Sequence, residues 1–317
     1  MFSTRIIEKN GFTIHALEDQ SSGCFAEIVT DCGAALLAFG IRNDQHNIQI
    51  IDYYASKQEF DEKCESLGYK GCKLSPFVCR LRHSTFTFGN KEYRILGRDL
   101  NGHAIHGLIY NKRYLVTKMT ADESHASVCM LHEYRSENKG FPFAYDCEVT
   151  WTLEPGGKLS VQTKITNQTD GLIPIQDGWH PYFNLGDKID NLELEFQSTG
   201  KLVFDDELLP TGEKIPDATF DSLHTIGQIH LDNSFILDFQ ECQPLCVLRN
   251  KQAGYELQIY PSASYPILQI YTPDHRQSIA IENLSGQPNA FNMGNGFLTL
   301  EKSESTIFNT AYKINLL

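Results

Sequence analysis

Hydrophobic and polar residues alternate with a period of two along much of this chain, the spacing of strands whose successive side chains point to opposite faces. In KLSVQTKIT (Lys158 to Thr166), Leu159 and Val161 share a face, and Ile165 rejoins it past a slip. FVCRLRHSTFTF (Phe77 to Phe88) places Val78, Arg80, Arg82 and Ser84 on one face, with Cys79, Leu81 and His83 on the other. Strand-like runs also occur in CFAEIVT, YLVTKMT, ASVCMLHEY, YDCEVTWTL, LELEFQ, KLVFDD, YELQIY, PILQIYT, SIAIEN, GFLTLE and YKINLL. Turn signals separate them: EPGGK before Leu159, GNKEY after Phe88, and LPTGE at Leu209 to Glu213. Only SKQEFDEKCESLG (Ser56 to Gly68) predicts a helix, with a Ser cap, acidic first turns and a closing Gly. No linker, low-complexity tract or fixed-period repeat divides the chain. The pattern predicts an all-β protein, one large antiparallel β-sandwich domain over residues 1–317.

Composition narrows the partners. A formal charge of -13 on 317 residues argues against nucleic acid or an anionic membrane surface, both of which need basic patches. The start, MFSTRIIEKNGFTIHALED, carries charges where a signal peptide needs its apolar core, and no later run is long and apolar enough to span a bilayer. Nine cysteines, an odd number with no Cys-x-x-Cys pair, fit thiols packed as small hydrophobes in a reducing cytoplasm. No nucleophile elbow, phosphate loop, dinucleotide fingerprint or zinc signature is present, so neither cofactor nor metal is expected.

The candidate chemistry centres on QDGWHPYFNL (Gln176 to Leu185). A lone histidine among aromatics is ordinarily a core residue. His180, however, precedes a proline, which biases it to an extended backbone and aims its ring out of one sheet face. Trp179 and Tyr182 offer flat surfaces nearby, and such rings bind the C–H faces of sugars as readily as they fill cores. Glu282 stands near the end of SIAIEN opposite the face of Ile279 and Ile281, just before the Ser285–Pro288 turn. A strand-end carboxylate there suits a base, although a surface charge is its commoner role. His106 precedes a glycine, so backbone could approach a ligand there. Asp232 in HLDNSF reads by default as a turn or cap aspartate.

Taken in order, these stretches resemble the aldose 1-epimerase (galactose mutarotase) family. GAALLAFGI is similar to an early strand of that family, and SPFVCRLRHSTFTFGNKEYRI to its Asn-Arg-Ile strand and Gly-Lys hairpin. AIHGL stands at its Leu-His-Gly-Gly loop, and WHPYFNL at its Asn-His-x-Tyr-Phe-Asn-Leu motif. DELLPTGE, LDNSF and AIENLSGQPNAFN follow in the family's order. The resemblance implies a galactose mutarotase-like sandwich, called a supersandwich, with a sugar as small-molecule partner and no cofactor. It implies His180 as general acid, Glu282 as general base, and Arg80, His106 and Asp232 on sugar hydroxyls, to which the aromatic argument adds Trp179. Departures lie around the rim: Trp179 and Pro181 flank the histidine, Leu108 replaces a glycine, and Asn233-Ser234 follows the aspartate. The implied reaction exchanges α and β anomers of a free aldohexose. Arg82, placed beside Arg80, keeps open a hexose-6-phosphate mutarotase, and a non-catalytic sugar-binding protein is the other alternative.

Overall fold

A computed structural model describes residues 1–97 and 99–317. The alternating runs become a nine-stranded antiparallel sheet in the order Leu115–Ala121, Ala126–Tyr134, Tyr145–Glu154, Lys158–Asn167, Ser305–Leu316, Tyr255–Ile259, Cys246–Asn250, Glu193–Phe196, His224–Thr225. Along Tyr145–Glu154, Tyr145, Cys147, Val149, Trp151 and Leu153 all point inward. Its neighbour Lys158–Asn167 alternates without interruption. The slip expected before Ile165 is absent, because buried Thr163 takes the inward position and keeps the period.

A second antiparallel sheet runs Pro210–Ile215, Ser198–Phe204, Asp232–Leu237, Ile267–Tyr271, Ile279–Leu284, Gly178–His180, Cys72–Leu74, and Tyr182–Phe183 also pairs with Ile279–Leu284. The two sheets meet where Trp151 packs edge-on against Trp179, ring centroids 5.3 Å apart. A five-stranded sheet of Phe2–Lys9, Phe12–Asp19, Cys24–Val29, Leu36–Arg42 and Asn47–Gln49 joins through Trp151, whose indole N–H donates to the Ala34 carbonyl at 2.9 Å. One apolar cluster reaches from Phe2 to Ile314 across all three sheets.

Three more expectations change. Phe77 to Phe88 is not a single strand: Cys79, His83 and Ser84 adopt positive φ, so only Arg80–Leu81 and Thr85–Phe88 are extended, and Arg80 and Arg82 do not share a strand face. LPTGE is not a turn. Pro210–Ile215 is an edge strand, where a proline costs no ladder bond, and the chain reverses just before it, with Leu208 at φ 59. Glu282 lies inside Ile279–Leu284 rather than at its end. All six residues of that strand are buried, because both its faces are covered, and this removes the polar alternation that would mark its length. The helix is Lys57–Lys63, with the Ser56 side chain accepting from the Glu59 N–H and Phe60 buried.

Candidate active site

The outer face of the second sheet assembles the site by register. Asp232 stands opposite Tyr271, Ser234 opposite Gln269, and Gln269 opposite Glu282. Gly178 and Trp179 pair with Leu284 and Asn283, so the same register carried one residue on brings His180 beside Glu282. Alternation then places Asp232, Gln269, Tyr271, Glu282, His180 and Tyr182 on one face. With Arg80 and His106 from the flanking segments, they border a cavity of about 350 Å³.

His180 Nε2 lies 3.3 Å from Glu282 Oε1, and both residues are buried. The imidazole is fixed from two sides: the Tyr182 ring stacks at 5.3 Å, and His106 meets it edge-on at 4.8 Å. Burial disfavours charge on each group. It lowers His180 to about 4 and raises Glu282 well above its ordinary value; nearby Asp232 raises Glu282 further, and Arg80 opposes this. Glu282 Oε2 has no hydrogen-bond partner among the described residues. A buried carboxylate oxygen without a partner, beside a cavity, is poised to accept from a bound hydroxyl.

Asp232 is not a turn or cap residue. It opens Asp232–Leu237 and accepts from Gln269 Nε2 at 2.7 Å, while Ser234 Oγ donates to Gln269 Oε1 at 2.5 Å. Burial raises Asp232, and both Arg80 and the Gln269 bond pull it back down. His106 reaches the cavity from a backbone at φ 57, its N–H bonded to the Cys79 carbonyl at 3.0 Å. The glycine after it meets a packing need, since a Cβ on Gly107 would stand 2.2 Å from the Ser75 carbonyl oxygen, and Gly107 does not border the cavity.

The family model for aldose 1-epimerase matches residues 18–313. The chain belongs to the aldose 1-epimerase family. Maltose epimerase of Levilactobacillus brevis is 25% identical over 251 residues, covering 67% of this chain and 73% of the relative. Aldose 1-epimerase of Streptococcus thermophilus is 25% identical over 206 residues, covering 55% and 58%. A galactose mutarotase-like protein from Clostridium acetobutylicum superposes over 100% of this chain and 99% of its own, with TM-score 0.86 and 20% identity. For galactose 1-epimerase from Lactobacillus acidophilus the coverages are 100% and 99%, the TM-score 0.83 and the identity 18%. At these identities the structures establish the galactose mutarotase-like sandwich, and family membership supports an epimerase activity on a sugar. Among the described residues no helix is long and apolar enough to cross a membrane.

For this aldose 1-epimerase relative, the structure brings five of the six expected residues to one cavity: His180, Glu282, Arg80, His106 and Asp232. Trp179 is the exception. It points to the opposite face, onto Trp151 and beneath the Lys73 ammonium 4.5 Å from its ring, and it does not border the cavity. Consecutive strand residues face opposite ways, so a residue next to His180 could not share its face. Gln269, Tyr271 and Tyr69 line the cavity without having been singled out. The alternation of LQIY, which sets Gln269 and Tyr271 on one face, was the available signal. Arg82 is engaged elsewhere, with Asp205 at 2.5 Å and Glu207 at 3.1 Å.

Proposed function

We propose that this protein is a mutarotase that interconverts the α and β anomers of an unphosphorylated aldohexose unit by opening and closing its ring. The observation that carries the reading is the His180–Glu282 pair, 3.3 Å apart on the cavity floor with Arg80, Asp232, Gln269 and His106 around it. Glu282 Oε2 takes the proton from the C1 hydroxyl, and His180 gives one to the ring oxygen. The C1–O5 bond breaks, the C1–O1 bond becomes a carbonyl, and the aldehyde carbon rotates. Closure runs the two transfers backward, returning each proton to the group it left. The resting pair needs one mobile proton, and the neutral pair that burial favours differs from the reactive imidazolium–carboxylate only by its position. Arg80 and a sugar hydroxyl donating to Glu282 both favour the carboxylate.

A phosphate dianion wants several converging donors. Arg82, the group that could have supplied them, is already held by two carboxylates, which favours a substrate without phosphate. One relative is named for maltose, so the aldohexose unit is free or is the reducing end of a larger sugar. The irregularly spaced cysteines support a cytoplasmic setting. Polarimetry of freshly dissolved α-anomers, with and without protein, tests the reading across a panel of aldoses. Relaxation no faster than in buffer for every sugar would overturn it.

A further inference from the structure

The two rings that hold the His180 imidazole are themselves backed by one loop, residues 64 to 72. Tyr69 meets the His106 ring edge-on at 4.7 Å, and a Cβ on Gly68 would stand 2.5 Å from the Tyr182 hydroxyl. The Gly71 N–H donates to the His180 carbonyl at 2.8 Å, and Cys72 pairs with His180 in register. Glu65, Gly68 and Tyr69 border the cavity. Tyr69 holds φ 56, a left-handed conformation that is costly for a bulky residue and persists only where its surroundings over-determine it.

A cysteine stands at each end of this loop. Cys64 caps the Lys57–Lys63 helix, Cys72 opens the strand Cys72–Leu74, and their sulfurs lie 3.7 Å apart. Other bonds already draw the two ends together. The Tyr54 hydroxyl donates to the Cys64 carbonyl at 3.1 Å and accepts from the Lys70 N–H at 2.9 Å. The Tyr69 N–H donates to the same carbonyl at 2.8 Å. Both thiols are buried, but Cys64 borders a second cavity of about 270 Å³ with Glu65, Ser66 and Tyr110. The described lining of that cavity shares one residue, Glu65, with the cavity of the site. A small molecule therefore has an approach to Cys64 that does not pass the His180–Glu282 pair.

We propose that Cys64 and Cys72 form a reversible disulfide in the presence of a peroxide, and that closing it disturbs the loop and lowers activity at the site. The Cys64 sulfur attacks one oxygen of hydrogen peroxide, the O–O bond breaks, and the departing hydroxide takes the thiol proton and leaves as water. Cys64 is then a sulfenic acid. The Cys72 sulfur attacks it, the S–O bond breaks, and the Cys72 proton leaves with the oxygen as a second water. Two thiols lose two electrons in all, and one peroxide is reduced to two waters. A dithiol restores both thiols by exchange, and in a reducing cytoplasm the pair rests reduced. Bonding shortens the 3.7 Å separation to about 2.05 Å, partly by side-chain rotation and partly by drawing in the loop ends. Gly68, Tyr69 and Gly71 pass that shift to Tyr182, His106 and His180. Misplacing a catalytic group by about 1 Å costs as much as 10²-fold, so a fraction of that movement has a measurable effect.

The test treats Cys242→Ser, in which an exposed thiol is removed, with hydrogen peroxide and maps its disulfides by peptide mass spectrometry. We expect a Cys64–Cys72 link and a fall of about tenfold in kcat/KM for mutarotation, both reversed by dithiothreitol. Cys64→Ala and Cys72→Ala, each made in the same background and compared with its own untreated sample, should hold their activity in peroxide, and either one that folds suffices. No link, a link with kcat/KM unchanged, or equal inactivation of an alanine variant overturns the proposal. Hydrogen exchange over residues 64 to 72 reads the loop without any sugar. Should the reduced protein turn over no aldose, the mutarotase reading falls, and the switch is judged on exchange alone. Slower exchange after oxidation supports it, and unchanged exchange overturns it.

Discussion

Residues 177 to 180 carry two buried ionisable pairs on opposite faces of one short segment. Toward the core, Asp177 Oδ1 takes the Lys73 ammonium at 2.5 Å and the Tyr265 hydroxyl at 2.6 Å, and Lys73 also donates to the Gly178 carbonyl at 3.1 Å. Toward the cavity, His180 faces Glu282. Burial raises both carboxyls, but for Asp177 the cation and the phenol pull it back strongly, whereas Glu282 has only Arg80 against a second carboxylate. Each carboxylate keeps one buried oxygen without a partner among the described residues. Only that of Glu282 belongs to a residue bordering the cavity. Burial alone therefore does not make a reactive pair. What distinguishes the His180–Glu282 pair is that both residues border the cavity, which neither Lys73 nor Asp177 does.

The largest effect should come from breaking the cavity pair. His180→Ala and Glu282→Gln should each lower kcat for mutarotation by roughly 10²- to 10⁴-fold, the usual worth of a positioned acid or base. Circular dichroism should show both variants folded. Near-normal turnover in His180→Ala would remove it from the mechanism.

Breaking the core pair should do the reverse. Lys73→Met leaves Asp177 uncompensated, which should cost about 3–5 kcal/mol in urea unfolding. A Lys73→Met/Asp177→Leu double variant should recover much of that loss, since an apolar replacement of both partners leaves no buried charge. A loss below about 1 kcal/mol in the single variant would mean that Lys73 is not the counter-charge Asp177 depends on.

pH separates the partners of the cavity pair from each other. His180 is lowered to about 4, so below its ordinary 6.5 the unfolded chain takes up a proton that the folded chain refuses. Stability from this group is present above 6.5 and is lost as pH falls to about 4, by about 3 kcal/mol in total. Glu282 is raised, so its contribution is present below its ordinary 4.5 and declines as pH climbs from there toward the raised value. His180→Gln should accordingly gain on the intact protein between pH 6.5 and 4, and Glu282→Gln should gain as pH rises above 4.5. Melting temperature against pH reads both, and a reversed sign for either would mean that its charged form is the stable one in the closed fold.

The same contrast explains what the sequence disclosed. The Tyr145–Asn167 hairpin has one face in the core and one in solvent, so its pattern was legible nearly residue by residue. Ile279–Leu284 is covered on both faces, and its polar member, Glu282, could be placed near a turn but not inside a strand. The segment around Arg80 misled because positive φ at Cys79, His83 and Ser84 cannot be read from an alternating string of ordinary residues. The order of motifs singles out His180 and Glu282, and the structure sets them 3.3 Å apart. Gln269 is not singled out, because its bond to Asp232 crosses a strand pairing that composition does not encode.

The smallest effect decides the face of Trp179. Were it a platform for sugar, Trp179→Phe would raise KM. Its position instead predicts a change in stability with KM held within about twofold. The indole packs on Trp151 and lies under Lys73, so the smaller ring leaves a partial void and weakens a desolvated cation–π contact, which argues for a loss. Its N–H, however, is buried without a partner among the described residues, and phenylalanine removes that donor, returning part of the loss. The balance should be a destabilisation of about 1–2 kcal/mol, smaller than a full truncation of a buried aromatic. Thermal unfolding together with saturation kinetics on one sugar measures both quantities on the same sample. A raised KM without any fall in stability would put the ring on the His180 side, against the alternation of its own strand.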